Sequence, residues 1–266
     1  MIESNQSKVK AFYDRQAKSH ESGAAVLGEP TEFSVRYRAS AEWATFRRIV
    51  RLRPKMRVVE LGCGAGRWLA ELSPKVGQVI GVELSDRCYA LAYERTRDLD
   101  NVRVFNMCLE EFSLAADEVD LIYFSGVLLY LDDEQCRLQL ARYGESLSKE
   151  GLIVIRDSVA SHSTHDISHG EGYVARYRTD SDWRSLLKDA GFELMQQIPA
   201  NANPLAWAEK KSRKLGYAFS VAKSLRIDEL FLKILRGLRQ LMQSAFVEDG
   251  YSHDFLVAKR QAFNSK

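Results

Sequence analysis

Val58-Val59-Glu60-Leu61-Gly62-Cys63-Gly64-Ala65-Gly66-Arg67-Trp68 decides how this chain is read. The opening apolar run has the length and composition of a buried strand. Three glycines follow, each separated by one residue, and Trp68-Leu69-Ala70-Glu71-Leu72 continues as a helix. A strand, a glycine turn and a helix start together predict a cradle for a nucleotide. Glycine lets the backbone approach a ligand closely, and free N–H groups at the turn are expected to point at it.

The spacing narrows the ligand. A dinucleotide fingerprint is G-x-G-x-x-G, but here the third glycine, Gly66, comes one place early and Arg67 follows it. Glu60 stands just before the turn, where a carboxylate repels a pyrophosphate and suits an ammonium group. S-adenosylmethionine carries an ammonium beside a sulfonium and an adenosine. Glu83, 21 residues after Gly62, closes the apolar run Gln78-Val79-Ile80-Gly81-Val82, a distance that suits an acid binding ribose hydroxyls. Together Glu60, the G-x-G-x-G turn and Glu83 resemble motifs I and II of the class I S-adenosylmethionine-dependent methyltransferases. The resemblance implies an α/β, Rossmann-like, seven-stranded and mostly parallel sheet with helices on both faces. It also implies S-adenosyl-L-methionine as cofactor, held by Glu60, Gly62, Cys63, Gly64, Gly66, Glu83 and Leu84.

Bulk properties agree with such a protein. The 266 residues suffice for one sizeable domain with an extra piece. At 45% hydrophobic and 28% charged, with a net charge of +2, the chain has an ordinary globular composition and is no general polyanion binder. Cys63, Cys88, Cys108 and Cys136 show no paired metal spacing and read as reduced thiols of a cytoplasmic protein. The N-terminus is polar, and no stretch approaches the roughly 18 apolar residues of a membrane span.

Ahead of the turn, residues 7–20 read as a helix bearing Phe12, Tyr13 and Asp14, and 33–52 as a second, amphipathic helix ended by Pro54. Residues 1–53 are therefore expected to form a helical lid. In methyltransferases that this sequence resembles, the first helix folds over the cofactor. Tyr13 is the aromatic favoured to face the sulfonium there, a cation–π contact worth about 0.5–2 kcal/mol. Arg38 or its neighbour Arg36 is expected to pair with the cofactor's carboxylate.

Behind the turn the alternation is regular. Strands are expected at Val79–Val82, Val102–Phe105, Val119–Phe124 and Leu152–Ile155, with helices over 86–97 and 133–147. Residues just beyond such strands face the ligand. After the third strand these are Met107, Cys108 and Leu109; Cys108 replaces the aspartate that usually meets adenine in the family, so backbone and packing are expected to hold the ring. After the fourth strand come Ser125 and Tyr130, the latter where the family often has histidine. The Asn-Pro-Pro-aromatic tetrad of many nucleic-acid and protein N-methyltransferases is missing there.

After the fifth strand stand Arg156, Asp157 and Ser158, then a loop with His162, His165 and His169. Their spacing, without cysteine partners, does not make a metal site. His165 and Asp157 are the expected general bases. A helix ending at Ala190-Gly191-Phe192 precedes a strand at Glu193–Gln197, and the last strand is expected at Phe255–Ala258. Residues 54–200 with 249–266 then form the cofactor-binding core, and 201–248 form a helical insertion before the last strand. Within 209–243 the insertion has nine basic residues against three acids. Ile227, Leu230, Phe231, Ile234, Leu235, Leu238, Leu241, Met242, Ala245 and Phe246 make an apolar stripe that needs a covering surface.

The expected reaction is methyl transfer to an oxygen or nitrogen of a small molecule: a sugar, a lipid-linked saccharide or a secondary metabolite. RNA or protein methylation through the basic insertion is the alternative within enzymes, although nucleic acid is not the favoured partner. A non-catalytic cofactor-binding module is the alternative outside them. A homodimer and peripheral membrane contact through the insertion are further expectations.

Overall fold

The computed structural model describes residues 4–19, 32–169, 172–201, 212–241 and 250–261. From Arg57 onward strand and helix alternate, and a parallel sheet follows from that alternation. β1 (Arg57–Leu61) leads through the glycine turn into α3 (Arg67–Leu72), the first two helices being α1 (Asn5–Ser19) and α2 (Glu32–Ile49). β2 (Gln78–Glu83), α4 (Asp86–Thr96), β3 (Val102–Asn106), β4 (Val119–Ser125), α5 (Asp133–Gly144) and β5 (Leu147–Ala160) complete the parallel part. Its order is β3-β2-β1-β4-β5.

β6 (His165–Ser168) and β7 (Val174–Thr179) come next, then α6 (Asp180–Asp189), β8 (Phe192–Asn201), α7 (Ser212–Ser224), α8 (Asp228–Leu241) and β9 (Tyr251–Arg260). β9, which contains the last strand expected at Phe255–Ala258, runs antiparallel between β5 and β8. Among the described residues the sheet has nine strands rather than seven, because β6 and β7 pair as an antiparallel hairpin where a histidine-bearing loop is expected. β4 stops at Ser125 while β5 continues, and β7 takes the vacated edge through Val159 and Ala160. The hairpin hides from a hydropathy pattern because Arg178, fully buried on β7, occupies a core position. Its guanidinium donates to the Leu128 and Leu131 carbonyls at 3.1 and 2.7 Å and to Asp133 at 2.8 Å.

The sheet is buried on both faces by the two-residue alternation of its strands. On one face Ile122, Phe124 and Ile153 pack with Leu140 and Tyr143 of α5 and Trp183 and Leu187 of α6. On the other, Leu121, Tyr123 and Val154 pack with Phe46 of α2 and Trp68, Leu69 and Leu72 around α3. Each such side chain contributes roughly 1.5–3 kcal/mol. The segment 1–53 expected as one lid thus divides. α2 packs on the second face of the core through Phe46 and also reaches the strand ends through Arg38 and Glu42, while α1 lies over those ends.

α1 is tied down at both ends. Asn5 donates to the carbonyls of Tyr130 and Val174 and accepts from the Val174 N–H. Asp14 accepts from the Ser85 hydroxyl at 2.6 Å and the Arg87 N–H at 3.2 Å. An anion at this place also complements the N-terminal end of α4.

The insertion's apolar stripe splits. Leu232 is buried against Phe33 and Tyr37 of α2, with Phe231 and Leu235 alongside, while Ile227, Leu230 and Ile234 are exposed. Arg36 reaches Asp228 and Glu229 at 2.6 and 2.8 Å, pinning α8 to α2. Met242, Ala245 and Phe246 lie outside the described residues. Among the described residues no helix is long and apolar enough to cross a membrane.

Candidate functional site

A cavity of about 650 Å³ opens over the C-terminal ends of β1, β2, β4 and β5, beneath α1. The glycine turn forms its floor. Gly62, Gly64 and Gly66 have φ of 75°, 54° and 73°, the left-handed region that a side chain disfavours. A Cβ on Gly62 would meet Val127 at 2.2 Å, so the floor passes too close to the β4 loop for any other residue. Gly66 serves packing instead. Its Cβ would strike the Ala92 backbone of α4 at 2.9 Å, and it lies behind the cavity lining, where helix meets turn.

The turn takes up part of its expected free N–H groups in its own bonds. Gly62 and Cys63 donate to the Val82 carbonyl, Gly66 to the Cys63 carbonyl, and Gly64 to the Glu83 carboxylate at 2.8 Å.

The charges lining this end are acidic. Glu60, 1% exposed, keeps one carboxylate oxygen without a hydrogen-bond partner among the described residues. Burial pushes its carboxyl well above the ordinary range; Arg67 opposes the shift and Glu83 adds to it. Glu83 accepts from Gly64 and Ser85 N–H groups, both at 2.8 Å. Burial also pushes Glu83 up, against these backbone bonds. A carboxylate has about four acceptor positions, so capacity for ligand hydroxyls remains. Leu84, Met107, Cys108 and Leu109 line the adjoining wall, and Cys63 and Ser125 the floor.

α1 supplies the roof. Tyr13 and Tyr130 join hydroxyl to hydroxyl at 2.7 Å, with rings edge to face. Burial pushes the Tyr13 phenol up to about 12, and Tyr130 also rises, so both are neutral near pH 7. Phe12 and Tyr130 both pack on Tyr173, just before β7.

The opposite end is basic. Glu42 of α2, 1% exposed, receives Arg38 at 3.1 Å, Arg67 at 2.7 Å and Arg156 at 2.9 Å. Burial works against its ionisation, but Arg156, Arg38 and Arg67 together hold its carboxyl far below the ordinary range. Asp157 follows Arg156 and turns to the other side of β5. It accepts from the Leu129 and Ser158 N–H groups at 3.1 and 2.8 Å, and burial pushes its carboxyl up to about 6. His253 of β9 stands in register with Ser158 and contacts its hydroxyl at 3.1 Å. Burial, then Arg156 and Arg38, hold the imidazole well below its ordinary range and hence neutral.

The structure therefore gathers Tyr13, Arg38, Glu60, Gly62, Cys63, Gly64, Glu83, Leu84, Met107, Cys108, Leu109, Ser125, Tyr130 and Asp157 around one cavity. It does not bring His165 there. That residue is exposed on β6, its Nδ1 beside the Ser163 carbonyl at 2.8 Å, because the segment is a hairpin strand with alternating faces rather than a loop bent inward. The histidines that do line the cavity are His169 and His253. Arg36 faces the insertion, leaving Arg38 to the site. Sequence reasoning missed Glu42, Arg67, Arg156 and His253. The signal for two of them was position: Arg156 directly follows an apolar run and Arg67 the last glycine. Among the described residues no three of His, Cys, Asp and Glu converge as metal ligands.

A family model described as a methyltransferase domain matches residues 35–197. Phosphoethanolamine N-methyltransferase 1 of Triticum aestivum is 31% identical over 105 residues, 38% of this chain and 21% of the relative. Trans-aconitate 2-methyltransferase of Deinococcus radiodurans is 32% identical over 114 residues, 42% of each chain. The chain thus matches between about a fifth and two-fifths of the length of these curated relatives. Among solved structures, the Burkholderia thailandensis 1,6-didemethyltoxoflavin-N1-methyltransferase, bound to 1,6-didemethyltoxoflavin and S-adenosylhomocysteine, superposes with a TM-score of 0.64. It is 14% identical, over 98% of this chain and 92% of that one.

Proposed function

The chain belongs to the methyltransferase-domain family, and from that premise we propose that it transfers a methyl group from S-adenosylmethionine to an oxygen or nitrogen of a small molecule. The observation that carries this reading is the buried Glu60 carboxylate, aimed into the cavity with an unpartnered oxygen beside Glu83. An unpaired buried carboxylate is costly, and a cationic ligand removes the cost. The residues fit the cofactor. Glu60 would hold its ammonium, Arg67 or Arg38 its carboxylate, Glu83 its ribose hydroxyls, and Leu84, Met107, Cys108 and Leu109 its base. When bound, this cofactor supplies a methyl group already activated by its sulfonium.

The protein's own part is alignment and proton handling. α1 and the Tyr13–Tyr130 pair cover the cavity and exclude water. Asp157, with a carboxyl near 6, is ionised at neutral pH and takes the acceptor's proton. A small-molecule acceptor accords with a covered cavity and with relatives named for phosphoethanolamine and trans-aconitate. Any contact with a second copy or a membrane surface is assigned to the insertion, where Val221, Leu225, Leu230 and Ile234 are exposed.

Calorimetry with S-adenosylhomocysteine and, separately, a nicotinamide dinucleotide tests the reading. Binding of the first alone is expected; binding of the dinucleotide alone would discard it.

A further inference from the structure

We propose that the end of the cavity built from Arg156, Arg38 and His253 binds the acceptor through an anionic oxygen group on that acceptor, a carboxylate or a phosphoryl. This rests on the methyltransferase reading and adds the chemistry of its second substrate.

Arg156 is 5% exposed and lines the cavity, and its Nε has no hydrogen-bond partner among the described residues. One Nη lies 2.9 Å from Glu42, near enough for an ion pair but not aligned as a hydrogen bond. Glu42 cannot satisfy the group alone. The same oxygen that faces Arg156 accepts from Arg38, and the other accepts from Arg67. A buried guanidinium with idle donors is costly unless a partner meets it. Its planar fork matches the two oxygens of a carboxylate or phosphoryl group.

Position separates this site from the cofactor's own carboxylate. Glu60 on β1 stands beside Tyr123 on β4, and β5 is the next strand. Two strand spacings, with Arg156 two residues beyond the Val154 that faces Tyr123, put the Arg156 backbone about 12 Å from that of Glu60. The guanidinium that acts on Glu60 is Arg67, whereas those that act on His253 are Arg156 and Arg38. An amino acid carries its carboxylate and ammonium on one carbon, so the Glu60–Arg67 end accounts for both. The Arg156 end is furnished differently, with the His253–Ser158 pair and the Tyr177 and Tyr251 rings at 4.9 Å from each other.

The test is calorimetry at low ionic strength on protein saturated with S-adenosylhomocysteine, titrated with inorganic phosphate and, separately, malonate. Saturable binding of at least one is expected. Arg156→Gln should weaken it about tenfold or more, the worth of one charge-assisted contact, with S-adenosylhomocysteine affinity within about threefold. Should Arg156→Gln not fold, the wild-type titration still decides, because it needs no variant. Absence of anion binding to the loaded protein would overturn the proposal. So would anions that compete with S-adenosylhomocysteine, or a tenfold loss of its affinity in Arg156→Gln, since either result assigns Arg156 to the cofactor. Failure of S-adenosylhomocysteine itself to bind would strike the methyltransferase reading and, with it, this one.

Discussion

The two ends of the cavity are built on opposite plans. At the β1–β2 end, Glu60 and Glu83 are buried carboxylates with no guanidinium hydrogen-bonded to them among the described residues, although Arg67 acts on Glu60, and burial raises both. At the β5 end, one carboxylate, Glu42, is crowded by three guanidiniums and held fully ionised. The first end keeps a Glu60 oxygen without a hydrogen-bond partner among the described residues. The second is held together by its own ion pairs and still has donors to offer. The difference teaches that burial alone does not say what a charged residue is for; what it is paired with does.

The largest expected effect breaks this comparison at Glu42. Glu42→Gln leaves the buried Arg156 and the half-buried Arg38 and Arg67 without the partner they share. Removing one member of a buried ion pair costs about 3–5 kcal/mol, and urea unfolding should show a loss of that size. Phosphate should restore part of it by standing in for the carboxylate. An unchanged unfolding midpoint would mean the arginines reach water and the cluster is not a buried one.

Glu60→Gln should do the reverse. One Glu60 oxygen has no hydrogen-bond partner among the described residues, so stability should hold or rise, while S-adenosylhomocysteine affinity falls by about 2 kcal/mol, roughly thirtyfold, the worth of a hydrogen bond between charged groups. Proton counting sharpens the point. A carboxyl raised by burial must ionise to meet an ammonium, so binding should release a proton in wild type and a smaller number in Glu60→Gln. Calorimetry in buffers of different ionisation heat reads this directly, and equal proton release in the two proteins would remove Glu60 from the ligand.

The two ends also differ in how visible they are without coordinates. Glu60, the glycine turn and Glu83 fall within a short stretch whose order in the chain is its order in space, because a strand, a turn and the next parallel strand keep a fixed relation. Sequence spacing therefore carried the acidic end. The basic end draws on Arg38, Glu42, Arg67, Arg156 and His253, which meet only because α2 packs on the sheet face beside β5 and β9 pairs back onto β5. No local pattern marks that meeting. The hairpin was hidden for a related reason: Arg178 breaks the apolar signal of β7, and the carbonyls that satisfy it belong to the turn after β4. Gly66 reads as a ligand glycine by spacing and proves to be a packing glycine, since only the approach of Ala92 reveals why no side chain fits there.

Asp157 stands between the ends and gives a pH signature. Its folded value of about 6 lies above the ordinary 3.8. Between these values the folded protein keeps a proton that the unfolded chain releases. The stability this group contributes is therefore present below about pH 4 and lost as pH rises to 6. Asp157→Asn, which cannot ionise, should escape that loss. Its stability relative to wild type should climb by about 2–3 kcal/mol from pH 4 to pH 6.5 in urea unfolding. Parallel curves for the two proteins would place an ionised partner beside Asp157 and weaken its assignment as the base.

The smallest effect is expected at His165. It is exposed on β6, 5.9 Å ring to ring from Tyr177, while Tyr177 itself faces the cavity. His165→Ala removes one edge contact behind that tyrosine, so turnover on an accepted substrate should stay within about twofold and the thermal midpoint within a degree or two, as for most exposed positions. Asp157→Asn serves as the contrast in the same assay, with a loss of about a hundredfold typical of removing a general base. A comparable loss in His165→Ala would require the hairpin to fold inward during turnover and carry the imidazole to the arginine end. The division between a cofactor end and an acceptor end would then have to include β6 as a moving wall.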